Sequence, residues 1–248
     1  MRSARETLRP FLRWAQTHRA SAAPHTQLQR QGGRQRIRAS PTHCPLPPAC
    51  QRTGRSAAAW LAYGWFVALI YPDPALGDDV LLLRPWSLDD VECVSEASTD
   101  PLIPSTTTVP SNWSSEAGEQ FILRQQTRLD SGEGVSLAIH ALDASRAVGL
   151  VSMMLRPQLG VIGLGYWVVP SARHRGFARR AARLASDWAI GPGGFARIEA
   201  WVETTNESSQ SVLIAAGFEL EGRLRSFLTI SDSRSDALVY SRVSDPEG

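Results

Sequence analysis

The amino-acid sequence predicts a mixed α/β (α+β) fold built on one central sheet, and three observations carry the prediction. Val135–His140 alternates Val, Leu and Ile with small or polar residues, Asp143-Ala144-Ser145-Arg146 makes a turn, Ala147–Leu155 returns, and Arg156–Gly160 leads into Val161–Val169. Period-two patterning punctuated by turns reads as an antiparallel meander of three strands. The β-branched and aromatic run Val161–Val169 is followed by a helical pattern, a stop at Gly191-Pro192-Gly193-Gly194, and another alternating strand at Arg197–Val202. A strand–helix–strand crossover makes its two strands parallel. Last, Phe218–Ile230 and Ala237–Val243 form a closing hairpin across the polar turn Ser231–Asp236.

The chain ahead of this core has a different character. Residues 1–56 hold eleven Arg and one acid, Glu6, whereas residues 78–248 hold fifteen Arg against twenty-two acids. The overall charge of +2 therefore hides a basic tail and an acidic domain. The tail is rich in Arg, Gln, Ser and Pro, the composition of a disordered extension. A start codon assigned too early explains it more simply than a selected role. Ala57–Tyr71 is an apolar run, short for a membrane span and weakened as a helix by Gly64. With the Pro-rich linker to residue 77, it is expected to pack on a domain spanning 78–245. Val80–Arg84 is the first strand of that domain. Ser87 with Asp90 has capping-box spacing and opens a helix through Leu88, Val91 and Val94. Asp100–Asn112 reads as a loop, and Ser114–Leu129 as a second helix with Phe121, Ile122, Gln125 and Leu129 on one face. Asn206–Ala216 is a further helix, with Gly217 as its C-cap.

Between the parallel strands lies the stretch around which the chain is organised, residues 165–188, reading GYWVVPSARHRGFARRAARLASDW. It passes from strand through Pro170 and an Arg- and Gly-rich turn into an amphipathic helix, with Ala178, Ala181, Ala182, Ala185, Trp188 and Ala189 at helical spacing. The first N–H groups of a helix lack internal partners and carry partial positive charge, which suits a phosphate. Gly176 removes a side chain where the backbone must approach that phosphate, Ala178 is small, and Arg173 and Arg175 add charge. An ordinary helix N-terminus with a solvated basic face is the plain alternative. No Gly-x-Gly-x-x-Gly is present and the chain has no Lys, so neither a dinucleotide fingerprint nor a P-loop explains the turn.

Arg173, Gly176 and Ala178 match a pattern of Arg or Gln, two residues, Gly, one residue, then Gly or Ala. Downstream come Asn206-x-x-Ser209, Val212-Leu213 and Gly217-Phe218, and upstream come Leu82-Leu83-Arg84-Pro85-Trp86 and Leu88-Asp89-Asp90. In this order, over residues 78–243, these motifs resemble the GNAT acetyltransferase superfamily, and most of all its RimJ/RimL group of ribosomal-protein N-terminal acetyltransferases. The resemblance implies a mixed sheet splayed between its fourth and fifth strands, helices on both faces, and acetyl-CoA as co-substrate. It implies that N–H groups near Val168 and Val169 bond the pantetheine and polarise the thioester. Amides from His174, Arg175, Gly176, Phe177 and Ala178, beside Arg173, would hold the pyrophosphate, and Asn206 would bond the pantetheine.

In such a mechanism an amine attacks the thioester directly, so no catalytic Cys is needed. Many members place a Tyr seven residues after the Asn to protonate the leaving thiolate; here that position is Leu213. The RimJ/RimL likeness implies Ser209 in its place, with helix capping as its other role. Glu199 and Glu203, near the carboxyl end of the parallel strand, are the candidate bases, acting through water. Asp100 and Glu116 sit on the expected substrate-side loops. His140, in a hairpin strand, and His174, in the phosphate loop, are set aside as bases.

The implied acceptor is a peptide or protein N-terminal amine, or a small amine such as an aminoglycoside or polyamine. Net acid on the domain suits either. A third reading is a catalytically inert GNAT scaffold whose Arg-rich tail binds nucleic acid, although no folded nucleic-acid-binding motif stands out. Cys44, Cys50 and Cys93 give neither a disulfide framework nor a zinc spacing, so no metal is expected and a reducing cytoplasm fits. No membrane partner is expected, and a monomer and a homodimer fit equally.

Overall fold

The computed structural model describes residues 69–244. The expectations for the Arg-rich tail and for residues 57–68 lie outside them. In chain order the described residues form β1 (Leu81–Arg84), a 3-10 turn (Leu88–Asp90) running into α1 (Val91–Ser98), α2 (Ile103–Thr106), α3 (Ser115–Thr127), β2 (Gly134–Ala141), β3 (Ala147–Leu155) and β4 (Val161–Val168). A second 3-10 turn (Pro170–Ala172) leads to α4 (Phe177–Ile190), β5 (Arg197–Glu203), α5 (Glu207–Ala215), β6 (Glu219–Ile230) and β7 (Ser233–Val243).

Seven strands make one sheet in the order β1-β2-β3-β4-β5-β7-β6. Every neighbouring pair is antiparallel except β4 and β5. That parallel pair holds for three registers only, Val161 with Arg197, Ile162 with Ile198, and Gly163 with Glu199. Beyond Gly163, β4 continues along β3 to Val168, and β5 continues along β7 to Glu203. The sheet therefore splits into two arms that share a short base.

Helices flank both faces. The Tyr166 hydroxyl bonds the Ser209 carbonyl in α5, whereas Trp167 packs against Phe121 in α3. Successive strand residues point to opposite faces, so α3 and α5 lie on opposite sides of the sheet. Contacts join α1 to α3 and α4 to α5, which makes two helical layers. One half of the core is an aromatic cluster in which Trp86 meets Phe121 edge-on at 5.7 Å and Trp167 at 6.0 Å. The other is the small-residue stripe of α4, where Ala181, Ala182, Ala185 and Ala189 are fully buried. Small residues let that helix lie close on the sheet. Leu69, Tyr71 and Leu76 pack against this core from the N-terminal side.

Local chemistry explains where elements begin. The Ser87 and Asp90 side chains and backbones bond reciprocally in a capping box that opens the first helical turn. Two expectations need correction. The segment Asp100–Asn112 is not all loop, because Asp100 accepts bonds from the N–H groups of Leu102 and Ile103 at 2.9 Å and seeds α2. The closing turn is Ser231-Asp232 alone, both at positive φ (46° and 65°), and β7 starts at Ser233. Two-residue hairpin turns need that backbone conformation, which polar side chains such as Asp tolerate. Among the described residues no helix is long and apolar enough to cross a membrane.

Candidate active site

The site is built where the two arms part. Val169 donates its N–H to the Val148 carbonyl of β3 at 3.0 Å. Backbone groups alternate in direction along an antiparallel strand, so Val168 presents its N–H and C=O to the opposite edge, the one β5 has left. This corrects one expectation: of Val168 and Val169, only Val168 offers its amide to the gap.

The turn after β4 leaves backbone N–H groups unpaired among the described residues. His174 and Gly176 have φ of 62° and 80°, so the backbone doubles back before α4 begins. Gly176 is the N-cap of α4, and no side chain caps that helix. By contrast, Ser114 caps α3 and Asn206 caps α5. The first bond inside α4 runs from Arg180 N–H to Gly176 C=O at 3.1 Å, leaving the earlier amides, at Phe177, Ala178 and Arg179, without an intrahelical partner. No acid stands in the first turn of α4. A Cβ at Gly176 would meet nothing within 4 Å, so it is the positive φ, not crowding, that calls for glycine. The Phe177 side chain is buried and contributes only its amide to the mouth.

The two loop arginines do not hang free. Arg173 Nε donates to the Val168 carbonyl at 3.2 Å, and its guanidinium pairs with Asp100 at 2.7 Å. It clamps the loop to the end of β4 and to α2. Arg175 pairs with Asp143 at 2.6 Å and lies over the Phe177 ring at 4.7 Å. Their positive charge stays beside the open amides, but partly neutralised.

This geometry has counterparts among known proteins. The family described as acetyltransferase (GNAT) domain matches residues 80–219. The chain belongs to the GNAT acetyltransferase family. It is 25% identical over 175 residues to the uncharacterized N-acetyltransferase YoaA of Bacillus subtilis (strain 168), covering 70% of this chain and 99% of that protein. Its fold is like that of Mycobacterium smegmatis RimJ in complex with CoA-disulfide, with a TM-score of 0.57, 22% identity, and coverage of 66% of this chain and 81% of that one. It is also like the ribosomal-protein-S5-alanine acetyltransferase from Vibrio fischeri, with a TM-score of 0.56, 20% identity, and coverage of 70% and 98%.

Within this GNAT domain the two candidate bases separate. Glu199 stands at the base of the gap, in register with Gly163, not near its mouth. Its carboxylate is held between Arg156 at 3.3 Å and Arg197 at 3.1 Å. The Arg156 guanidinium fills the space over Gly163 and stacks on Trp201 at 3.6 Å. Glu199 is thus part of a stacked ionic lattice, which contradicts its placement as a base. Glu203 is the last residue of β5, half-buried, and its carboxylate has no ion-pair or hydrogen-bond partner among the described residues.

Asp100 is likewise spent: although burial works to raise it, the amides of Ile103 and Leu102 and the Arg173 guanidinium hold its carboxyl below the usual range. Glu116 stands exposed in the first turn of α3. His140 Nδ1 lies 3.3 Å from Arg84, and burial and that cation push the imidazole below its ordinary value.

On the other arm, Asn206 Oδ1 accepts from Ser209 N–H at 3.0 Å and from Ser208 Oγ at 2.9 Å. Asn206 therefore takes the capping role and keeps only its amide NH₂ for a ligand. Ser209 Oγ is left without a hydrogen-bond partner among the described residues. Leu213, at the position where many members carry Tyr, is fully buried. Tyr166 reaches from β4 to the Ser209 carbonyl at 3.1 Å, and only strand alternation, which sets it with Ile162 and Leu164, marks it in the sequence. Among the described residues no group of three or more His, Cys, Asp and Glu is placed to hold a metal.

Proposed function

We propose that this chain is an acetyl-CoA-dependent N-acetyltransferase that modifies the N-terminal amine of a protein or peptide. The observation that carries the reading is the N-terminus of α4, which no side chain caps and whose first amides have no intrahelical partner. The amides from Gly176 to Ala178 receive the pyrophosphate, with Arg173, His174 and Arg175 around it, and the Val168 edge receives the pantetheine. Asn206 offers its NH₂ to the same chain. The acceptor arrives on the face that carries Trp201 and Glu203, where the candidate base stands.

An α-amino group titrates near pH 7.7–8.0, so much of it must lose a proton before it attacks. Glu203 takes that proton through a water. The amine nitrogen then bonds the carbonyl carbon, the negative charge on oxygen is met by a strand-edge N–H, and the C–S bond breaks. Ser209 gives its proton to the leaving thiolate, and the surplus proton that the nitrogen sheds as the amide forms returns to Ser209.

The fold likeness to a protein described as a ribosomal-protein-S5-alanine acetyltransferase supports the choice of a protein N-terminus. A cytoplasmic site of action accords with such an acceptor. Mass spectrometry of reactions offered N-terminal peptides, polyamines and aminoglycosides tests the choice. Acetylated peptide α-amines are the expected product; acetylated small amines with untouched peptides would replace the acceptor, and no product from any would return attention to an inert scaffold.

A further inference from the structure

We propose that Tyr166 is a positioning residue that spans the gap and sets where Ser209 stands. The assignment rests on the reaction proposed above, because it gives Tyr166 a part in that same site. After Gly163 the β4 and β5 arms share no ladder bond. Among the described residues, one hydrogen bond joins β4 to α5, from the Tyr166 hydroxyl to the Ser209 carbonyl at 3.1 Å. Since α5 follows β5 directly, this bond ties the far ends of the two arms together.

The tie falls on the residue where it matters. Ser209 is held through its N–H by Asn206 Oδ1 at 3.0 Å and through its C=O by Tyr166. Both main-chain groups are fixed, by opposite arms, while Oγ stays unengaged. Tyr166 does not itself supply the proton. Its hydroxyl proton is already donated to the Ser209 carbonyl at 3.1 Å, and burial pushes the phenol up to about 12. The phenol works as a strut: a ring anchored on β4 whose tip determines how far α5 stands from the Val168 edge.

The test compares full-length wild type, Tyr166→Phe, Ser209→Ala and the double variant by steady-state kinetics, acetyl-CoA calorimetry and thermal melting. Phe keeps the ring and removes the bond alone. A misplacement of about 1 Å costs rates of order 100-fold, so Tyr166→Phe is expected to lower kcat by about 10- to 100-fold, with acetyl-CoA affinity within about threefold. The double variant should be no slower than Ser209→Ala, a non-additivity that general packing does not produce. Wild-type kcat in Tyr166→Phe, or losses that multiply in the double variant, would overturn the strut and leave the enzyme reading standing. A folded wild type that binds no acetyl-CoA would overturn both. Should Tyr166→Phe melt early, Tyr166→Leu gives the packing control: kcat falling in step with stability across both variants would also overturn the strut.

Discussion

At the scale of single residues the domain depends on a few carboxylates that are fully occupied. Asp90 is almost completely buried, bonds Arg84 through both oxygens at 2.7 Å, and accepts from the N–H groups of Ser87 and Ala147. Removing one partner of a buried pair strands the other, so Asp90→Ala is expected to cost about 3–5 kcal/mol in urea unfolding. Glu221 shows the same logic at the surface. Hydrogen bonds from Arg197, then from Ser241, lower its carboxyl from 4.5 to about 2. A depressed acid stabilises the fold above its unfolded value and loses that contribution as pH falls through the folded one. The melting temperature should therefore fall between about pH 4.5 and 2, and Glu221→Gln should flatten that part of the profile. Glu203, at the end of β5, has no ion-pair or hydrogen-bond partner for its carboxylate among the described residues. Glu203→Gln is expected to lower kcat by about 10²–10⁴-fold and leave stability near wild type, as general-base removal does. A variant at wild-type rate would move the base elsewhere.

At the scale of elements, close approach of strands sets the tolerance for change. A Cβ on Gly149 would stand 2.3 Å from the Trp167 carbonyl, which is backbone and cannot swing aside. Gly149→Ala should destabilise by about 1–3 kcal/mol, the usual cost of overpacking, and a melt within a degree of wild type would contradict that strand spacing. Elements with strong periodicity were legible in the sequence: the Ala stripe of α4, the alternation of β5, and the Ser87–Asp90 cap all stand where their patterns place them. Others were hidden for physical reasons. α2 depends on the Asp100 side chain accepting two amides, a bond that composition does not announce among three prolines. The start of β7 is polar and exposed, so no apolar alternation marks it, and pairing with β6 alone makes it a strand. Helix–strand crossover rules did predict the parallel pair, but its length of three registers depends on tertiary packing that sequence does not carry.

At the scale of the whole molecule, the division of the sheet is what makes function possible. Two arms sharing a short base leave a strand edge exposed inside a folded core, where unpaired amides are otherwise rare. The Arg173–Ala178 turn was readable because helix N-terminus chemistry needs few residues. Which acid is left without a partner was not, because Glu199 and Glu203 lie four positions apart on one face of one strand and differ in their neighbours: two arginines for the first, none among the described residues for the second. The proposed chemistry depends on an anion cradle at the head of α4. The most direct measurement is calorimetric titration of acetyl-CoA into the full-length protein and into Gly176→Glu, with circular dichroism to confirm that both are folded. The uncapped amides at the head of α4 predict saturable binding to the wild type and none to the variant, whose carboxylate would occupy the pyrophosphate position. Equal binding to both proteins, or none to a folded wild type, would contradict it.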